Sequence, residues 1–515
     1  MSKKDRTSVL KSSVIVSVAT MSSRVLGLVR DIVFASLFGA GGAHDAFFVA
    51  FKVPNFLRRL FAEGAFNQAF VPVLSEYKHA EGDDSVRRLV SAVQVYLGAI
   101  VGAVTVLAMI FSPLVAWLFA SGFHDDGAKL ALVAGFLRLT FPYLWFISMT
   151  ALGSSVLNSY QNFAIPALTP IILNLSLIGA AFLLSPRFEV AQTGLALGVL
   201  LAGLLQWLFL WPALLKTGVW SPFSFSTVHP GVKKILVLML PGLFGVSVSQ
   251  INLLLDTILA TWLKDGSVGW LYYSDRLTEL PLGVIGVAIG TVLLPRLSSL
   301  HAESDHSVFE RTLAWAIRMV LMVGLPAMAA LLILSNQLLT LLFDNGEFGS
   351  TDVLMSAKSL AAYALGLPAF MLIKILAPAF FARQDTRTPV KTGVQAMMWN
   401  MVFNLLLIVP LQHVGLALAT SMSAWINAGL LAWHLRQERH LPGQALLGKS
   451  IIQVLVATIV MALVLMFMVQ LSAFTMPVDL FGRVLVVFGL VLAGLFSYGL
   501  ALFVSGVRLV DIKHP

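Results

Sequence analysis

The sequence predicts an all-α polytopic membrane protein with 14 transmembrane helices: two six-helix lobes in parallel pseudo-two-fold repeat plus two C-terminal helices. Three observations predict it. Of the 515 residues, 58% are hydrophobic and 11% charged, with a mean hydropathy of +0.88, which is too little charge to cover a soluble protein of this length. Apolar runs of about 20 residues, the length a helix needs to cross hydrocarbon, recur along the whole chain. Two distant regions also match each other at a constant offset of 223 residues.

The spans fall near 13–36, 40–62, 89–119, 130–152, 164–184, 191–214, 231–263, 268–298, 309–335, 353–380, 389–410, 412–434, 449–471 and 482–507. The basic start MSKKDRTSVLK resembles that of a signal peptide. No small-residue cleavage site follows, and the apolar segment runs on past Arg24, so it reads as a retained first helix. One side of the membrane then collects Lys3, Lys4, Arg6, Lys11, Lys78, Arg87, Arg88 and most other cations. The other side keeps Lys129, Arg187, Lys264 and Arg483 beside acids such as Asp125, Asp126 and Asp344. That asymmetry is the positive-inside rule with both termini cytoplasmic, so the net charge of +9 is topogenic and implies no nucleic-acid partner. Cysteine is absent, which excludes disulfides, thiolate metal sites and cysteine catalysis.

The repeat is carried by FVPVLS (70–75) against LLPRLS (293–298), which pairs Pro72 with Pro295, Leu74 with Leu297 and Ser75 with Ser298. In the same register Arg88 falls on Arg311, Ser112 on Ser335, Gln161 on Gln384 and Pro166 on Pro389. Six spans separate equivalent points. An even number gives both copies one orientation, hence two bundles related by an axis along the membrane normal. The chain divides accordingly into 1–216, 217–440 and a further helix pair in 441–515. Transporters of this plan hold substrate between the bundles. The plainer alternative is ordinary Pro and Ser punctuation at helix ends.

Charges inside the spans come next. SSRVLGLVRD (22–31) places Arg24, Arg30 and Asp31 in span one, where Arg24, Gly27 and Asp31 share a stripe and Arg30 lies about a third of a turn away. Span two adds Asp45, Lys52, Asn55, Arg58, Arg59 and Glu63, with Pro54 expected to kink it and free backbone carbonyls. Span eight contributes Asp275, Arg276 and Glu279, and span ten Lys374. A charge at the bilayer centre costs about 2.5–3.5 kcal/mol on insertion scales, so such residues usually line a cavity. Snorkelling to the interface is the alternative for Arg58, Arg59 and Glu63, and is favoured for Arg59. Arg30–Asp31 and Asp275–Arg276 have a second alternative as internal ion pairs. A water-filled cavity lined by arginine suits a phosphorylated or pyrophosphorylated anion. Asp256, alone in INLLLDTILA (251–260), reads either as a proton or monovalent-cation site or as a buried hydrogen-bonded carboxyl.

SRVLGLVRD, DAFFVAFKVPNFLRRLFAEGAFNQAFVP, GWLYYSDRLTELP and ARQDTRTPVK together resemble the MurJ (MviN) lipid II flippases of bacterial cell-wall synthesis, and the likeness runs through all 14 spans. The resemblance implies the MOP exporter fold, with the last two helices forming a groove for the polyprenyl tail. It implies movement of lipid II, an undecaprenyl-pyrophosphate-linked disaccharide-pentapeptide, from inner to outer leaflet of the bacterial inner membrane. The family's cavity arginines fall on Arg24, Arg30, Arg58 and Arg276, and its acidic residue on Asp45. It also suggests dependence on membrane potential and a sodium site, with no other cofactor. The expected partners are lipid II, membrane lipids and the cell-wall synthesis machinery. The expected oligomeric state is a monomer.

Two rivals differ in chemistry. A drug-cation exporter would line its cavity with acids and aromatics, whereas an O-antigen-type flippase shares the undecaprenyl pyrophosphate and is separated by the span-one and span-two block. A membrane-embedded polyprenyl-phosphate enzyme would need acidic or metal-binding machinery. The adjacent pairs Asp83–Asp84 and Asp125–Asp126 lie in loops on opposite sides, and HExxH and Walker A patterns are missing, so no enzyme activity is expected.

Overall fold

In the computed structural model every element among the described residues is helical, these being 3–59, 65–220, 229–303, 305–438, 440–441, 449–471, 476–477 and 479–507. The chain divides into two compact units, Met1–Gly269 and Trp270–Pro515. The first holds α1 (Lys3–Phe38), α2 (Gly42–Arg58), α3 (Ala65–Ala80), α4 (Asp83–Ile110), α5 (Ser112–Phe119), α6 (Gly127–Thr140), α7 (Pro142–Ser159), α8 (Ala164–Leu183), α9 (Gln192–Lys216) and α10 (Pro230–Thr261). Helix α11 (Ser267–Ala302) leads into the second, which holds α12 (His306–Phe343), α13 (Ser350–Ala364), α14 (Leu367–Phe381), α15 (Arg387–Gln437), α16 (Lys449–Gln470) and α17 (Leu480–Val504). Among the described residues eight helical stretches, with α6 and α7 taken as one, are long and apolar enough to cross a membrane, or nine if α13 and α14 form one bent span.

Several expected spans are broken rather than continuous, with proline at the breaks. The span expected at 89–119 divides into α4 and α5 at Phe111, just before Pro113, and that at 130–152 divides into α6 and α7 at Phe141, just before Pro142. Proline suits a first helical turn because its missing N–H has no partner there in any case. Helices α13 and α14 meet at 41° around Gly366, ahead of Pro368. Pro54 stays inside α2, and the carbonyl of Ala50, which its absent N–H would have engaged, accepts instead from the Thr140 hydroxyl of α6 at 3.4 Å. The spans expected at 389–410 and 412–434 are the two arms of α15, which kinks at Gln412 (φ 52°, ψ −132°).

The repeat offset reappears in the helix boundaries. Helices α4 and α12 start at Asp83 and His306, α6 and α13 at Gly127 and Ser350, and α8 and α15 at Ala164 and Arg387, each pair 223 residues apart.

In the first unit Phe66, Phe70, Leu89, Leu152, Val156, Leu210 and Leu214 form a core drawn from α3, α4, α7 and α9. The second unit centres on α12, α14 and α15, with Leu313, Ile317, Leu367, Ile375 and Leu431 buried. Helices α16 and α17 pack on α12 through Leu465, Leu490 and Leu334. Outward on α17, Phe481, Phe496 and Phe503 are 73%, 73% and 77% exposed, an apolar face that water would penalise and lipid accepts. Trp117, Trp211 and Trp262 are exposed, as residues at a membrane–water interface are, while Trp207 packs among Trp145, Phe146 and Trp211.

Candidate functional site

Helix α1 carries its charges in two different states. Arg30 and Asp31 are 5% and 1% exposed, and Arg30 donates from Nε and Nη2 to Asp31 Oδ1 at 3.0 and 2.7 Å. Its Nη1 donates to Asn174 Oδ1 on α8 at 3.1 Å, and Asn174 Nδ2 donates back to the Ser23 carbonyl of α1 at 3.0 Å. The internal-ion-pair alternative therefore describes Arg30 in this conformation. Arg24 is exposed and makes no hydrogen bond or ion pair among the described residues, so its guanidinium is available to an anion.

On α2 the polar residues form a seam. Asp45, Lys52 and Arg59 are spaced by seven, which keeps them on one helical stripe. Lys52 Nζ donates to Thr257 Oγ1 at 2.9 Å and Arg59 Nη1 to Gln250 Oε1 at 3.4 Å, so two partners on α10 are also seven apart and run the other way. Asp45, 1% exposed, accepts from the backbone N–H groups of Gly266 (2.7 Å) and Gly269 (2.8 Å) and so caps the start of α11, where the helix dipole favours a carboxylate. Lys129 of α6 reaches Asp265 at 2.6 Å in the same turn. This seam groups α10 with the first unit.

Asn55 and Arg58 are half-buried and bonded to each other at 3.2 Å, with Asn55 Nδ2 on the Phe51 carbonyl. At 1.5 Å per residue Asp45 and Arg58 stand about 20 Å apart along α2, so they cannot hold one phosphate group together. Asp256, 9% exposed, sits beside the Lys52 partner Thr257 on α10. Glu63 lies outside the described residues.

The second unit supplies two cations. Arg276 on α11 is half-buried; its Nη1 donates to Glu279 at 3.0 Å, its Nη2 to the Tyr272 hydroxyl at 3.3 Å, and its guanidinium carbon lies 5.0 Å from the Tyr272 ring centre. Glu279 is 48% exposed in its side chain, so this pair is weak and exchangeable. Lys374 on α14 is exposed and has no hydrogen bond or ion pair among the described residues.

Sequence reasoning found the cations and missed their neutral partners, Asn174 and Thr257. The signal for both was present: each is a hydrogen-bonding side chain in an apolar helix, LNLSL and LLLDTIL. Nothing in the spacing said which charge each would meet.

A family profile described as "Lipid II flippase MurJ" matches residues 34–486. A Vibrio cholerae serotype O1 protein described as "Probable lipid II flippase MurJ" is 46% identical over 514 residues, covering 98% of this chain and 97% of its own. A Burkholderia cenocepacia protein described as "Lipid II flippase MurJ" is 40% identical over 82% of this chain and 83% of its own. Among solved structures, "Lipid II flippase MurJ, inward closed conformation" aligns with a TM-score of 0.80 at 28% identity, covering 95% of this chain and 98% of that one. A multidrug resistance MATE family transporter of the MOP superfamily, inward-facing, aligns with a TM-score of 0.67 at 15% identity over 83% of this chain and 98% of that one, a likeness of fold alone.

Proposed function

The chain belongs to the lipid II flippase MurJ family, and on that premise we propose that it carries lipid II from the inner to the outer leaflet by alternating access. The observation that carries this reading is Arg24: a cation set in an apolar helix, with no partner of its own among the described residues. An arginine in that position is suited to bidentate contact with a pyrophosphate. The isoprenoid tail can stay in lipid while the head group alone crosses.

Arg24, Arg58, Arg276 and Lys374 are the candidate phosphate ligands, with Lys52 and Asn55 on the helix of Arg58, Glu63 as a further candidate and Arg30–Asp31 as an internal store of charge. Asp45 acts by fixing the start of α11. Asp256 is the candidate ion-coupling carboxylate, for a monovalent cation such as sodium or for response to membrane potential, since ionisable side chains inside membrane helices mark ion pathways. The finer architecture is 14 spans in lobes 1–216 and 217–440 plus the pair in 441–515, with that pair forming the tail groove and both termini on the cytoplasmic side of the inner membrane. The working unit is a monomer that hands its product to cell-wall synthesis.

The test uses cells in which this protein is the sole flippase and can be shut off, with a probe that reaches outward-facing lipid II alone. Arg24→Ala and Arg276→Ala, made at wild-type levels, are expected to leave the outward pool as depleted as shut-off does. An outward pool unchanged by shut-off overturns the substrate; full restoration by both variants overturns their role.

A further inference from the structure

Among the contacts of Arg30 are three hydrogen bonds to two groups of different kind. Asp31 is a fixed charge on the same helix, and its carboxylate takes Nε and Nη2. Asn174 is neutral, 6% exposed, and takes Nη1 from α8 while its own amide N–H group returns to Ser23, the residue before Arg24. The amide thus spans almost two turns of α1, joining the backbone next to the open arginine to the guanidinium of the stowed one. A neutral amide oxygen is the weaker acceptor of the two. A phosphate oxygen is itself ionised, so at the guanidinium it adds opposite charge to a bond that the cation alone assists when the acceptor is an amide.

We propose that Asn174 is a positioning residue that holds Arg30 in store and yields it to the substrate's pyrophosphate, whose oxygen replaces Asn174 Oδ1 at Nη1. The exchange rests on the flippase reading above and concerns how the site is loaded. No covalent bond changes; one hydrogen bond to Nη1 is traded for another. Arg30 then remains tied to Asp31 through part of its fork, so the arginine leaves α8 without being left bare in hydrocarbon. A stowed fraction lowers apparent affinity by that fraction, and loosening the store raises it.

Opposite signs separate exchange from simple packing. The experiment measures lipid II binding to purified protein in lipid nanodiscs, with phosphatidylglycerol as the control ligand, for wild type, Asn174→Ala, Asn174→Asp and the double variant Asp31→Asn/Asn174→Asp. Asn174→Asp puts a charged competitor at Nη1 and is expected to weaken binding about tenfold, because the substrate oxygen must then displace an anion rather than a neutral amide. Asn174→Ala is expected to bind as well as wild type or more tightly. The double variant keeps the carboxylate at Nη1 and is expected to bind as weakly as Asn174→Asp, which separates the position of the charge from its total. Equal weakening by Asn174→Ala and Asn174→Asp, or an unchanged Asn174→Asp, overturns the exchange while leaving the flippase reading intact. Should Asn174→Asp fail to fold, Asn174→Ala and the double variant decide: weakened binding in both overturns it. Wild-type protein that prefers phosphatidylglycerol overturns the flippase reading, and the exchange with it.

Discussion

Two corners 223 residues apart, one joining α7 to α8 and the other α14 to α15, can be laid on each other bond for bond. In the first, Asn162 N bonds to the Leu157 carbonyl at 2.9 Å and Gln161 N to that of Asn158 at 3.0 Å; in the second, Asp385 N bonds to Phe380 and Gln384 N to Phe381, both at 3.0 Å. Gln161 and Gln384 have φ of 60° and 61°, so each is the left-handed residue of a Schellman close. Only the side chains differ. Tyr160 donates to Asp83 and lies under Lys78 Nζ at 3.8 Å, fastening the first corner to α3 and α4. Arg383 pairs with Glu438, fastening the second to the far end of α15. Backbone geometry recurs at the 223-residue offset while the attachments differ.

The largest break in this likeness lies just beyond each corner, where a helical hairpin closes on a glycine. A Cβ at Gly194 would stand 2.4 Å from Ser185 N, and one at Gly415 would stand 2.3 Å from the Leu407 carbonyl oxygen. Backbone cannot retreat as a side chain can, so Gly194→Ala and Gly415→Ala are each expected to cost about 3 kcal/mol. Thermal melting of the purified protein, followed by tryptophan fluorescence, should fall by a similar amount in both. A large fall in one alone would mean that the hairpins are packed differently.

The attachments come next in size. Arg383→Ala removes a mostly buried guanidinium from Glu438 and is expected to cost about 1–2 kcal/mol. Tyr160→Phe removes one hydroxyl bond at the surface and should cost about 0.5–1 kcal/mol. Melting curves that rank them the other way would place the tighter fastening in the first unit.

Much of this arrangement could be read from sequence, for a physical reason. Charges in apolar helices stand out because they are expensive there, so Arg24, Arg30, Asp45, Lys52 and Arg276 were all visible. The offset was visible because Pro, Gln and Ser at helix ends are dictated by local backbone needs. Neutral partners were not visible: Asn174 and Thr257 gain their meaning from helices that meet only in the fold. The breaks in the helices were half visible, since Pro113, Pro142 and Pro368 mark them, but Pro54 breaks nothing because Thr140 serves the carbonyl it leaves free. The two left-handed glutamines were unreadable as such, because glycine, not glutamine, is the usual sign of that conformation.

Those glutamines sharpen the comparison. A non-glycine residue in the left-handed region costs roughly 1–2 kcal/mol, part of which glycine gives back as unfolded-chain entropy. Gln161→Gly and Gln384→Gly are therefore each expected to stabilise by about 0.5 kcal/mol. Equal gains in melting temperature confirm one backbone; a loss in either shows that the glutamine side chain was doing more than filling the position.

The smallest expected effect depends on pH and on one atom's difference. Asp385 Oδ1 accepts from Arg387 N at 2.9 Å and Thr388 N at 3.0 Å, capping α15, whereas Asn162 at the matching place in the first corner makes no such bonds among the described residues. Burial pushes the Asp385 carboxyl up, but the Thr388 side chain and the two backbone N–H groups outweigh it and hold the carboxyl below its ordinary value. A lowered folded value means that the ionised form is the stabilising one. Its contribution is complete above the unfolded value, about 3.9, and is lost as pH falls through the lower folded one. Asp385→Asn should remove that acid-sensitive increment. Asn162→Asp should create it, because the superposed backbone offers the N–H groups of Ala164 and Ile165 to the new carboxylate, adding about 0.5–1 kcal/mol near neutral pH that vanishes in acid. Melting temperatures compared at pH 6 and at successively lower pH decide it: a gain at pH 6 that shrinks as pH falls below about 3.9 means the first corner already holds the capping geometry that its side chain leaves unused.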